Sequence, residues 1–135
     1  MKRYIVTPDK HFPLHSQKAI NILCKTIEEI KPDGYIDLGD TGEWAGASHW
    51  KWKKKAKPSL EWYLPEIIQD VQDVNKGMDQ IDESLDKANC KNKHITEGNH
   101  DDWTNRFVER YPYMAQYAFK NAVSLKKARL CIPYI

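Results

Sequence analysis

Three short apolar runs, each closing on a polar cluster, constrain this chain more than anything else in it. Arg3 to Thr7 is β-rich and leads into Asp9-Lys10-His11. Tyr35 to Leu38 leads into Gly39-Asp40, and Lys93 to Thr96 into Gly98-Asn99-His100-Asp101. Helical periodicity fills the space between them. Ser16 is placed to cap a helix whose apolar stripe is Ile20, Leu23, Cys24, Ile27 and Ile30, and Pro32-Asp33-Gly34 stops it. Pro65 suits a first helical turn, and Ile68, Val71, Val74, Met78, Ile81 and Leu85 recur after it at three- and four-residue steps. A helix from Pro65 to Ala88 is roughly 36 Å long at about 1.5 Å per residue. Pro8 to His15 and the glycine-bearing stretch Gly39 to Ser59 read as loops. Trp103 to Lys127 reads as helix with a break at Tyr111-Pro112, and Leu130 to Ile135 as the start of a fourth strand. Strands alternating with crossovers of this length imply an α/β fold, a mostly parallel sheet flanked by helices. The 135 residues fit a single domain.

In parallel sheets, ligands bind at the carboxyl ends of the strands. All three polar clusters fall there. Oxygen and imidazole donors converging on one rim suit a hard or borderline divalent ion such as Mn, Fe or Zn, and the absence of cysteine argues against structural zinc. Each cluster alone is ordinary, since Gly-Asp marks turns and Asn-His-Asp caps helices. Their order along one sheet carries the information.

Asp9-x-His11, Gly39-Asp40 and Gly98-Asn99-His100-Asp101, in that order, resemble the first three motifs of the calcineurin-like metallophosphoesterases, over Met1 to about Tyr113. Asp9-x-His11-x-Pro13-x-His15, Ser48-His49-Trp50, and Trp103 followed by Tyr111-Pro112 are similar to the phage and bacterial nuclease-like branch. The resemblance implies the N-terminal half of a four-layer α/β sandwich. It also implies phosphoester hydrolysis at two divalent ions, drawn from Mn, Fe, Zn, Mg or Ni. Under it, Asp9 and His11 hold the first ion, Asp40 bridges both, and Asn99 holds the second through its amide oxygen. His100 protonates the leaving-group oxygen or stabilises its charge, and Asp101 hydrogen-bonds His100 to fix its ring. The family has two later motifs, a lone histidine and Gly-His-x-His. The histidines here are His11, His15, His49, His94 and His100, and none follows His100. The resemblance therefore implies an incomplete domain over residues 1–135, through a truncated or split gene, a fragment, or a degenerate non-catalytic descendant. Such a chain is expected to hold the first ion weakly and the second barely, and to expose apolar surface near Leu130 to Ile135.

The net charge of +2 is too small to announce nucleic-acid binding. Its distribution says more. Lys51, Lys53, Lys54, Lys55 and Lys57 cluster around Trp50 and Trp52, in a loop expected to overhang the rim. Such a loop either binds a nucleic-acid backbone while its rings stack on bases, or is simply solvated. A phosphodiester of DNA or RNA is the expected substrate. The alternatives are a small phosphomonoester and a non-catalytic nucleic-acid-binding remnant. His15, His49, Lys53, Lys54 and Arg106 are the candidate substrate contacts; His15 and Arg106 read equally as an exposed histidine near a helix start and an exposed helix charge. His94 reads as structural. Glu61 to Asp86 holds eight acids against Lys76 alone and reads as a solvated helix face. No apolar run approaches the ~20 residues of a membrane span, and Met1-Lys2-Arg3 runs straight into Tyr4-Ile5-Val6 without the pattern of a secretory leader. Cys24, Cys90 and Cys131 form no CxxC and read as small core residues in a reducing compartment, the cytoplasm, or a host's cytoplasm for a viral chain.

Overall fold

A computed structural model describes residues 1–123 and, as a backbone strand, 129–132. The strands are β1 (Tyr4–Thr7), β2 (Gly34–Asp37), β3 (Asn92–Thr96) and β4 (Arg129–Ile132). They form one parallel sheet in the order β1-β2-β3-β4. The helices are α1 (Gln17–Ile30), α2 (Leu60–Lys87), α3 (Asn99–Arg110) and α4 (Phe119–Ala122), with 3₁₀ turns at Trp50–Trp52 and Pro112–Tyr117. The chain is thus α/β, as its alternating pattern requires.

Strand register decides which residues share a face. Ile5 pairs with Tyr35, and Tyr35 with Lys93, so these and Ile95 lie on one side. That side joins Ile20, Cys24 and Ile27 of α1 and Val74, Met78, Ile81 and Leu85 of α2 in the main core. The other side is open at Tyr4, Val6 and Leu38, which are 44%, 50% and 51% exposed. Ser16 caps α1 by accepting from the Ala19 N–H at 3.3 Å, and the helix ends at Lys31 in the left-handed region, φ 50°, just before Pro32.

Two expectations need correction. Helix α2 starts at Leu60, ahead of Pro65, which sits inside it. The proline removes one backbone hydrogen bond, but Tyr63 is buried against Phe107 and Ile67 and holds the extra turn. Helix α2 is also not acidic only toward solvent. Asp82 is 3% exposed and holds Lys93 Nζ at 2.8 Å, while Asp70 is 7% exposed and accepts the Gly46 N–H at 2.8 Å. An inward-facing lysine on β3 demands a buried carboxylate, and α2 supplies it.

The break at Tyr111-Pro112 is present. Cys24 and Cys90 are buried free thiols. The Cys131 side chain, residues 124–127 of the last helical stretch, and the apolar surface expected near Leu130 to Ile135 lie outside the described residues. Among the described residues no helix is long and apolar enough to cross a membrane.

Candidate metal centre

Backbone pairing continues past the ends of β1 and β2. Asp9 N donates to Gly39 O at 3.2 Å, His11 N to Asp40 O at 2.9 Å, Phe12 N to Thr41 O at 3.0 Å, and Glu43 N to Phe12 O at 3.0 Å. This small ladder places one donor atom each from Asp9, His11 and Asp40 within 4.8 Å of one another. All three residues have left-handed backbones, φ 48°, 47° and 48°. Non-glycine residues hold that conformation at a cost of about 1–3 kcal/mol each. The anchors lie directly beneath. Lys10 is buried, with Nζ 2.7 Å from Asp37 Oδ2. Phe12 is buried against Gly77 of α2, where a Cβ would sit 2.6 Å from the ring Cζ.

Strand β3 delivers the third cluster. Gly98 is the N-cap of α3, so Asn99, His100 and Asp101 form its first turn. Gly39, φ 94°, and Gly98 press together so closely that a Cβ on Gly39 would lie 2.8 Å from Gly98 Cα. His100 N donates to Asp40 Oδ1 at 2.8 Å. The His100 ring lies edge-on to His11 at 4.7 Å and stacks on Trp103 at 4.0 Å. Asp40 and Asn99 share a cleft of about 500 Å³ with Glu97, Asp102 and Arg106.

The role expected of Asp101 is corrected by this geometry. Asp101 is fully buried, and its carboxylate hydrogen bonds go to groups other than the His100 ring. Its carboxylate accepts from Trp44 Nε1 at 2.7 Å, Gly98 N at 3.0 Å, Thr41 N at 3.1 Å and Gly42 N at 3.4 Å. Successive helical residues point in different directions, so Asp101 faces back over the N-cap while His100 faces the rim. Burial pushes the Asp101 carboxyl up to about 6, against the pull of its four donors. Asp101 therefore positions the 41–44 loop.

Glu43 takes the place beside His100. Its Oε2 lies 3.0 Å from His11 Nδ1 and 3.6 Å from His100 Nδ1, and its backbone oxygen lies 3.2 Å from His100 Nδ1. Sequence reading missed it, although a carboxylate three residues after a strand-end Asp, across a glycine turn, was a usable signal. His11, Glu43 and His100 make a second donor group within 4.8 Å.

Two carboxylates and an imidazole fit one divalent ion at Asp9, His11 and Asp40. A second ion would compete for donors already engaged: the His11–Glu43–His100 group shares His11 with the first, and in the cleft Asp40 Oδ1 already accepts from His100 N. The other candidates divide. His15 lines a groove with Asp9 and His11 on the α1 side, its Nε2 2.9 Å from Gln17 Oε1. Arg106 reaches the cleft with its Nε on Asp102 Oδ2 at 2.7 Å. The His49 ring lies 6.0 Å from Trp103 and 4.8 Å from Trp50. Lys53 and Lys54 line neither groove; Lys53 Nζ sits 4.4 Å over the Trp50 ring, and Lys54 is exposed. His94 is bonded within its own strand, Nε2 to Asn92 Oδ1 at 2.6 Å.

Comparison with protein-family models, with curated proteins and with solved structures returned no significant match.

Proposed function

We infer that the chain hydrolyses phosphoesters with a divalent ion at this rim, and that the bond cleaved is a phosphodiester of DNA or RNA. One observation carries it: Asp9, His11 and Asp40 converge within 4.8 Å on three strained backbones, from two adjacent strand ends. Strain kept at three converging donors in one place supports reading them as a site. The resemblance to calcineurin-like metallophosphoesterases points the same way. The open sheet face at Val6 and Leu38 supports reading this sheet as one half of a two-sheet sandwich.

Asp9, His11 and Asp40 would hold a divalent ion, which would supply Lewis-acid polarisation of the phosphoryl group and activation of water. The remaining work falls to side chains of the chain itself. His100 is the acid for the leaving oxygen. Its Nδ1 faces the Glu43 backbone oxygen and carboxylate, so Nε2 is the nitrogen that carries the proton to the substrate. Stacking on Trp103 keeps the ring from rotating away. Glu43 orients His100, and Asp101 keeps the Glu43 loop in place.

The test is Mn²⁺-dependent hydrolysis of bis(p-nitrophenyl) phosphate by the full chain. Asp40→Asn should abolish turnover, and His100→Ala should lower kcat by roughly 10²–10⁴-fold. No metal-dependent turnover by the unaltered chain refutes the hydrolytic function. Faster turnover of p-nitrophenyl phosphate moves the substrate to phosphomonoesters. Calorimetric titration should find one Mn²⁺ per chain, and two tight ions would refute the donor count above.

A further inference from the structure

Arg106 lines two neighbouring hollows. One is the cleft that holds Asp40 and Asn99. The other is a pocket of about 40 Å³ lined by His49, Lys57, Trp103, Arg106, Phe107 and Arg110. A hollow this small, lined by cationic side chains, suits a single anionic group such as a phosphate. Trp103, Arg106, Phe107 and Arg110 fall at three- and four-residue steps of α3, so a single helix face builds most of the pocket. Trp103 ties the pocket to the metal rim, because its ring also stacks on His100 at 4.0 Å, and His100 lies edge-on to His11.

The pocket is strongly cationic. Arg106 is partly engaged by Asp102 at 2.7 Å. Among the described residues, neither Lys57 nor Arg110 makes an ion pair. Lys57 Nζ instead lies 4.6 Å from the Tyr63 ring and 5.8 Å from the Tyr111 ring. Partial burial of this ammonium, and then Arg110 beside it, hold the Lys57 pKa below its ordinary value, with Tyr111 opposing. Like charges gathered in one pocket carry an electrostatic cost that a bound anion lowers. Outward from the pocket, His49 leads to Trp50, which is 55% exposed and capped by Lys53. An exposed indole beside lysines is a stacking platform for a base.

We propose that the His49–Lys57–Arg106–Arg110 pocket binds the backbone phosphate next to the one held at the metal rim, so that the substrate is a polynucleotide strand. The assignment of the neighbouring phosphate as the scissile one rests on the hydrolytic function inferred above. Anion capture by the pocket does not.

The test is fluorescence anisotropy of a labelled oligothymidylate with the full chain in EDTA, over a salt series. The double variant Lys57→Gln/Arg110→Gln should bind roughly tenfold more weakly or worse, with the slope of log K against log salt reduced by about 1–2. Lys57→Arg/Arg110→Lys should keep affinity within about threefold, which separates lost charge from lost fold. Unchanged affinity and slope in the neutral variant overturn the proposal. So does an equal loss in the charge-preserving one. Inorganic phosphate displacing the oligonucleotide at equal concentration marks a free-phosphate site and overturns the strand assignment. EDTA takes metal out of the measurement, so this result and the hydrolysis result stand or fall separately.

Discussion

Gly98→Ala isolates the contact that seats Asp40. Gly98 has φ −88° and ψ −178°, which alanine also adopts, so the substitution acts only through the space it fills. The new Cβ would lie 2.6 Å from Asp40 Cγ and closer still to Asp40 N and Oδ1. Asp40 is held from behind, because its backbone oxygen accepts the His11 N–H at 2.9 Å and its Oδ1 accepts the His100 N–H at 2.8 Å. Overpacking against a fixed neighbour costs about 1–3 kcal/mol. Loss of the charged hydrogen bond from His100 adds about 1.5 kcal/mol. The sum, about 3 kcal/mol, corresponds to a fall in Tm of roughly 10 °C for a chain of this length. Gly34→Ala is the matched control. Its Cβ would meet Tyr4 Cδ1 at 2.6 Å, but Tyr4 is 44% exposed and its ring can swing into solvent. That change should cost under about 1 kcal/mol. Urea and thermal unfolding of the three proteins give the stabilities, and calorimetry with Mn²⁺ gives the site. Gly98→Ala should weaken Mn²⁺ binding at least tenfold, while Gly34→Ala leaves it intact. Equal stability of the two variants, or Mn²⁺ affinity untouched by Gly98→Ala, refutes the placement of Asp40.

The other predictions concern the groups around that contact. Burial pushes the Asp70 carboxyl from 3.8 up to about 6, opposed by the Gly46 N–H, helped by Glu66 and Asp73, and opposed by Lys51. The folded state then binds the proton more tightly than the unfolded chain, so Asp70 makes stability fall as pH rises from about 4 to about 6. Asp70→Asn should become more stable than the unaltered chain across that window, by about 2 kcal/mol near neutral pH, and a difference constant with pH in urea denaturation would refute it. Glu43→Gln should lower kcat about 10–100-fold with KM within about twofold and stability nearly unchanged; an unaffected kcat removes Glu43 from the orientation of His100. Trp44→Phe leaves the buried Asp101 carboxylate one donor short and should cost about 1–3 kcal/mol, and a loss below about 0.5 kcal/mol in urea denaturation contradicts that role.

The parallel order of the strands was legible because short β-rich runs alternated with periodic helices, a pattern few folds share. Asp9, His11 and Asp40 were legible for a related reason: strand ends gather on one rim, so position in the sequence translated directly into position in space. The partner of His100 was not. Asp101 is its neighbour in sequence but faces elsewhere on the helix, while Glu43 arrives from another loop by way of the Phe12 ladder. Helix α2 was misread for similar reasons. Tyr63 extends it past a proline through contacts with α3, and Lys93 draws Asp82 inward. Tertiary partners decided these points, and local patterning carries no trace of them.

The left-handed backbones at Asp9, His11 and Asp40 bind these observations together. At about 1–3 kcal/mol each, they amount to a large fraction of the stability of an ordinary domain. Glycine would relieve that cost, yet carboxylates and an imidazole occupy the positions. The surroundings are built to hold them. The Phe12 ladder fixes the 9–12 loop against the 39–43 loop, Asp101 gathers the amides of Thr41 and Gly42 with the Trp44 indole, and the Lys10–Asp37 pair closes the floor. Each of these devices is buried, and none offers a donor to the rim. A scaffold that commits so many interior contacts to keeping three exposed or half-exposed donors close supports the proposal that the rim holds a cation, because two converging carboxylates gain from a positive charge between them.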